Sequence, residues 1–122
     1  MKNGEKAVQL HAQGWNCAQA VLASCSEDFG ISQEQAYHLA AFFGGGMRCG
    51  EVCGACTGAL MALGLAYGDE NNRQNPKSRE FLQAFKEEYG SILCRDILEK
   101  HEKKLCPALI KFAANYLEDE FK

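Results

Sequence analysis

Residues 51–67, EVCGACTGALMALGLAY, are apolar nearly all round, and a helix without a polar face has to be buried on every side. Gly54 and Gly58 lie four apart with Ala55 and Ala59 beside them, so one face of this helix is stripped of side chain. Such a face either lets another backbone approach closely or leaves room for a cofactor. Gly44-Gly45-Gly46 precedes it and ends any helix arriving from the N-terminal side. At 122 residues the chain is long enough to bury a core around such a helix without disulfide staples.

The rest of the chain reads as shorter amphipathic helices. Glu5 to Gln13 carries Ala7, Val8, Leu10 and His11 near one face, and Gly14 stops it. Asn16 caps a second helix running through Cys17, Ala20 and Val21 towards Phe29, with Gly30 as its end. Ser32 and Gln35 form a capping box for a third, through Tyr37, Leu39 and Phe43. Beyond the polar stretch Asp69 to Asn75, Asn75-Pro76 opens a fifth helix with Phe81, Leu82, Phe85 and Tyr89 on one face. Ser91 caps a sixth, Ile92 to about Glu99. A charge run from Glu99 to Lys104 follows, and Cys106-Pro107 opens a last helix striped by Leu109, Phe112, Ala113, Tyr116 and Leu117. No segment alternates with period two. The expectation is an all-α, single-domain bundle over residues 1–122, with six to seven short helices around the small-residue helix.

Net charge is −3 with no basic block, which argues against nucleic acid as a partner, because phosphate binding needs clustered Lys and Arg. Residues 1–6 lack the apolar region of a signal peptide. The longest apolar run falls short of the roughly 18–20 residues of a membrane span. A cytoplasmic protein is expected. Seven cysteines are many for such a chain; their number is odd and the cytosol keeps thiols reduced, so metal binding or redox chemistry is favoured over a disulfide scaffold.

Four of the seven fall at predicted helix starts. Cys17 follows Asn16, Cys53 lies in the first turn of the small-residue helix, Cys94 stands three residues after Ser91, and Cys106 precedes Pro107. Unpaired N–H groups and the positive end of the helix dipole stabilise anions there. Thiols at these positions are expected to have lowered pKa values and to serve as nucleophiles or metal ligands. Cys25, between Ser24 and Ser26, reads as a packing residue. Cys49, Cys53 and Cys56 reproduce the three-cysteine spacing of radical-SAM enzymes, but the strands of their large barrel are missing. Cys53 and Cys56 also have the CxxC spacing of dithiol oxidoreductases, without the usual βαβ context. Arg48 and Arg95 flank site cysteines and could steady a thiolate. His11 and His38 read as helix residues, and His101 as part of the solvated charge run.

Cys53-Gly54-Ala55-Cys56-Thr57-Gly58 carries the CGAxxG signature of a known family. With Cys17 in Asn16-Cys17-Ala18-Gln19, Cys94 in Cys94-Arg95-Asp96 and Cys106 in Cys106-Pro107, the chain resembles the C_GCAxxG_C_C family of redox-active proteins from Gly14 to the last helix. Cys25, Cys49 and Cys56 lie outside that pattern. The resemblance implies redox activity centred on Cys17, Cys53, Cys94 and Cys106. A similar domain in split-Soret cytochromes is associated with an iron–sulfur centre, which by analogy implies a [2Fe–2S] cluster on these four thiolates. The Cys-x-x-Cys-His haem attachment site of a cytochrome is absent from the sequence.

Three readings follow. The first is electron transfer or sensing through an iron–sulfur cluster on the four cysteines, with Cys49 and Cys56 as weaker candidate ligands. The second is thiol–disulfide chemistry without a cofactor, with Cys53 as nucleophile and Cys17, Cys94 or Cys106 resolving. The third is a zinc site, less favoured because the paired short spacings of zinc ribbons are missing. An unidentified redox partner protein is implied under the first two, and the sequence leaves a homodimer open.

Overall fold

Among the residues described by the computed structural model, 2–68, 75–101 and 105–121, seven α-helices follow one another. They are α1 (Lys2–Ala12), α2 (Cys17–Ala23), α3 (Gln33–Leu39), α4 (Gly54–Tyr67), α5 (Lys77–Tyr89), α6 (Cys94–His101) and α7 (Cys106–Glu120). A single 3₁₀ turn, Ser26–Phe29, follows α2. The described residues contain no strand, so the fold is all-α; one isolated antiparallel bridge joins Val52 to Leu93. No described helix is long and apolar enough to cross a membrane. The charge run at residues 102–104 and most of the polar stretch, 69–74, lie outside the described residues.

Capping sets the starts of α2 and α3. Asn16 Oδ1 accepts from Gln19 N–H at 2.8 Å while Gln19 Oε1 accepts from Asn16 N–H at 2.8 Å, and Ser32 and Gln35 repeat the arrangement at 3.0 and 2.9 Å. Each box satisfies two otherwise orphaned N–H groups. The Asn16 amide also donates to Ala41 O at 3.0 Å, and the Gln19 amide donates to Tyr37 O at 2.8 Å, so the start of α2 is tied to the end of α3. Asn75 accepts from Lys77 N–H at 2.9 Å, but the cap position of α5 is Pro76, one residue later than the Asn75 cap expected from the sequence. The second helix is shorter than the sequence suggests: it stops at Ala23 and the chain turns through Cys25 into the 3₁₀ segment. The run Ser24-Cys25-Ser26 is the reason, because short polar side chains compete for backbone partners; Ser24 Oγ donates to Val21 O at 2.6 Å.

α4 lies against α2. A Cβ on Gly58 would stand 2.7 Å from Ala18 O and 3.1 Å from Ala18 Cα, and one on Gly54 would overlap the Cys17 sulfur. The small-residue face therefore meets the first expectation at Gly58, where it admits a neighbouring backbone, and at Gly54 it makes room for the Cys17 thiol. Up to Leu63 α4 is buried except at the half-buried Thr57, Leu60 and Met61, and Gly64 and Leu65 near its C-terminal end are exposed, a correction to the expectation of a helix covered all round. α5 packs on α7 through edge-on aromatic pairs, Phe81–Tyr116 at 5.0 Å and Phe85–Phe112 at 5.9 Å between centroids. Ile97 of α6 and Leu109, Ile110, Ala113, Ala114 and Leu117 of α7 complete the core.

Replacing Gly58 by Ala should lower stability by about 1–2 kcal/mol, since overpacking against backbone outweighs alanine's helix preference. Gly64→Ala, where the added methyl meets nothing within 4 Å, should raise it by up to about 1 kcal/mol. Urea midpoints of the two variants check the pair; equal shifts would contradict the close α2–α4 approach.

Candidate functional site

Two backbone hydrogen bonds bring the starts of α4 and α6 together. Cys53 N–H donates to Ile92 O at 2.7 Å and Cys94 N–H donates to Glu51 O at 2.7 Å, the two rungs of the Val52–Leu93 bridge. Ser91 Oγ accepts from Leu93 N–H and bonds Asp96 Oδ2, both at 3.0 Å, fixing the entry to α6. Cys53 is the N-cap of α4 and not, as expected from the sequence, within its first turn. Cys17, Cys94 and Cys106 are the first residues of α2, α6 and α7.

Cys17, Cys53, Cys94 and Cys106 line one cavity of about 140 Å³, closed by Gly45, Ile97, Leu98 and Leu109. Cys53 is only 4% exposed, whereas Cys17, Cys94 and Cys106 are partly exposed at the rim. The four thiols ring a space and do not meet at a point: among the described residues, no three His, Cys, Asp or Glu side chains are gathered as ligands of a single metal ion.

The remaining cysteines differ. Cys25 is buried and donates to Leu22 O at 3.7 Å, a packing position. Cys49 is exposed, its thiol directed to Gly46 O at 3.6 Å, and does not line the cavity. Cys56 is fully buried behind Cys53 and hydrogen-bonds to it. Arg95 pairs with Glu51 at 3.2 Å, and Arg48 lies 5.8 Å over the Phe42 ring; in these contacts neither guanidinium bonds a thiol. His11 Nδ1 meets Trp15 O at 3.0 Å, and His38 lies 4.0 Å from Glu34 on the surface.

The expectation that helix starts lower every thiol pKa needs correction. Burial pushes Cys17 up to about 11, helped by neighbouring Cys53 and only partly opposed by the N–H groups of Gly45 and Ala18. Burial also raises Cys94, with Cys53 and Cys106 adding to it. Cys53 goes the other way. The thiol of Cys56 donates to it, and the N–H groups of Ala55 and Cys56 add enough to overcome its burial. Cys56, as the donor, is held protonated. At Cys17 desolvation outweighs two N–H groups, and at Cys53 a third donor, the Cys56 thiol, reverses the sign.

A turn not expected from the sequence borders the cavity through Gly45. Gly45, Gly46, Met47 and Arg48 have φ of 64°, 67°, 59° and 62°, four successive residues in the left-handed region. For Met47 and Arg48 this costs roughly 1–2 kcal/mol each. The third helix was expected to run through Phe43 to the triple glycine, but α3 already stops at Leu39, so the glycines serve this turn instead, and nothing in Met47 or Arg48 signals a positive φ. The turn is held by Glu51 N–H donating to Gly46 O at 2.8 Å and Met47 N–H donating to Phe43 O at 3.2 Å. A Cβ on Gly46 would stand 2.6 Å from Glu51 O and 2.7 Å from Cys94 Cβ, so the turn sits tightly on the cavity wall.

Met47→Gly should raise stability by about 0.5–1 kcal/mol, the left-handed cost removed less the extra unfolded-state entropy of glycine. Chemical denaturation measures it; destabilisation would mean that the Met47 side chain supplies packing beyond its half-exposed position. In a brief alkylation at about pH 7.5, Cys53 should react roughly tenfold faster than Cys25, whose burial, with the Asp28 charge, pushes its pKa up to about 12. Peptide mass mapping reads the order, and Cys25 reacting first would refute it.

The family model described as "Putative redox-active protein (C_GCAxxG_C_C)" matches residues 15–120, which takes in all four cavity cysteines and the left-handed turn. No curated protein and no solved structure matches the chain. Since the match spans most of its length, the chain belongs to the C_GCAxxG_C_C family of redox-active proteins.

Proposed function

We infer that the chain is a one-electron carrier or sensor that holds an iron–sulfur cluster, most simply [2Fe–2S], on Cys17, Cys53, Cys94 and Cys106. The observation that carries this reading is the convergence of four helix starts, each with a cysteine, on one apolar cavity. Its volume, about 140 Å³, is close to that of an apolar cavity that accommodates benzene, roughly 150 Å³, and two irons with two sulfides have fewer heavy atoms than that ring. Thiols spread around such a space suit a polyatomic group. A single zinc ion needs its sulfurs about 2.3 Å from one point, so the zinc reading ranks below it. When bound, such a cluster supplies reversible one-electron transfer.

This chain's own residues would do the rest. Four thiolates hold the group from four separate elements. The Gly45 and Ala18 N–H groups at Cys17, and those of Ala55 and Cys56 at Cys53, face sulfur, where they offset negative charge and raise the potential. Ile97, Leu98 and Leu109 exclude water from the cavity, and Cys94 and Cys106, partly exposed, mark the side on which a redox partner would approach.

Anaerobic purification, with a visible spectrum and iron, sulfide and zinc analysis on one sample, tests the reading. A sulfur-to-iron charge-transfer band with equal iron and sulfide is expected. Replacing any one of Cys17, Cys53, Cys94 or Cys106 by Ser should cut bound iron about tenfold or more, while Cys25→Ser and Cys49→Ser should retain it. Stoichiometric zinc without iron would overturn the proposal.

A further inference from the structure

Cys56 has no place in the four-thiol arrangement. It is fully buried, does not line the cavity, and its thiol nevertheless reaches the Cys53 sulfur. Its own N–H donates to Cys53 O at 2.9 Å, so the two residues stand one turn apart at the start of α4, the spacing at which helix side chains are neighbours. Joining them requires no movement of one helix against another. Cys17, Cys94 and Cys106 each belong to a different element, and a bond from Cys53 to any of them would cross-link separate helices.

We propose that Cys53 and Cys56 form a second redox couple, a dithiol that closes to an intramolecular disulfide by reducing a disulfide of low molecular mass. The geometry assigns the roles. Cys53 faces the cavity and Cys56 lies behind it, so an incoming disulfide meets Cys53 first. The Cys53 thiolate attacks one sulfur of the reagent, forming a mixed disulfide and expelling the other sulfur as a thiolate. Cys56 then attacks the Cys53 sulfur; the Cys53–Cys56 bond forms, the mixed bond breaks, and the Cys56 proton leaves with the second departing thiol. Two electrons pass from the protein dithiol to the reagent, which becomes two thiols. This differs from the resolving partners expected from the sequence, which lie across the cavity. It also goes beyond the cluster reading and does not rest on it, although a disulfide at Cys53 would take one thiolate away from the cavity.

The test uses the full metal-free chain in mixtures of reduced and oxidised glutathione, quenched with acid, alkylated, and cleaved after arginine and glutamate. Cleavage after Glu51 gives a peptide starting at Val52 that holds Cys53 and Cys56 and no other cysteine. The expected product is that peptide, unalkylated and lighter by two hydrogens. Cys56→Ser should stop at glutathionylated Cys53, with release of the second glutathione slowed at least about tenfold; Cys53→Ser should give neither product. Cys56→Ala, checked for native helix content, guards against a fold defect in the serine variant. Peptides joining Cys53 to Cys17, Cys94 or Cys106, or thiols that stay unoxidised throughout, would overturn the proposal. Iron and sulfide analysis of the parent protein is a separate readout, so failure here is distinguishable from failure of the cluster reading.

Discussion

The close approach of α2 and α4 is the constraint on which the rest of the molecule depends. Gly58 lets the Ala18 backbone come within reach that a methyl group would deny, and Gly54 leaves the space that the Cys17 sulfur occupies. Side-chain-free faces give up burial of apolar area, so the contact draws its stability from many close atom pairs and not from large residues. What it secures is position. With the starts of the two helices in register, Cys17 and Cys53 face the same space, and the Asn16 amide anchors the end of α3 to the same corner.

The bridge between Val52 and Leu93 extends that corner to α6. Its two rungs do in an all-α protein what a hairpin does in a sheet: they fix the separation of two chain segments by hydrogen bonds independent of side-chain identity. The electrostatics of the cavity then follow from its dryness. Apolar walls make every thiolate costly, so the protonation of each sulfur depends on how many donors face it. Among Cys17, Cys53 and Cys94, it is Cys53, with a thiol and two N–H groups aimed at it, that the enclosure favours as an anion.

Helix type and order were legible because glycine, proline and capping residues punctuate a chain with clear amphipathic stripes; Asn16 and Ser32 both form the capping boxes of their helices. The four cysteines at helix starts were visible for the same reason. Their convergence was not, since it rests on tertiary contacts that no local pattern encodes: the two-rung bridge and the glycine faces. The sign of the thiol shifts was misjudged at Cys17 and Cys94 because position at a helix end is local and readable, whereas desolvation depends on what the other helices cover. Cys56 was legible as half of a CxxC spacing, yet only the fold shows its thiol turned onto Cys53.

The left-handed turn has a consequence for dynamics. Residues 45–48 occupy a conformation that the isolated segment would avoid, so the contacts made by Glu51, Phe43 and the α6 start hold it in place. A segment supported only from outside is the natural place for local unfolding, with an opening free energy well below that of the whole domain. Amide hydrogen exchange at the described positions of this turn would then run ahead of exchange in α2 and α4. Its rate would measure how often the cavity wall gives way while the helices that carry the cysteines remain folded.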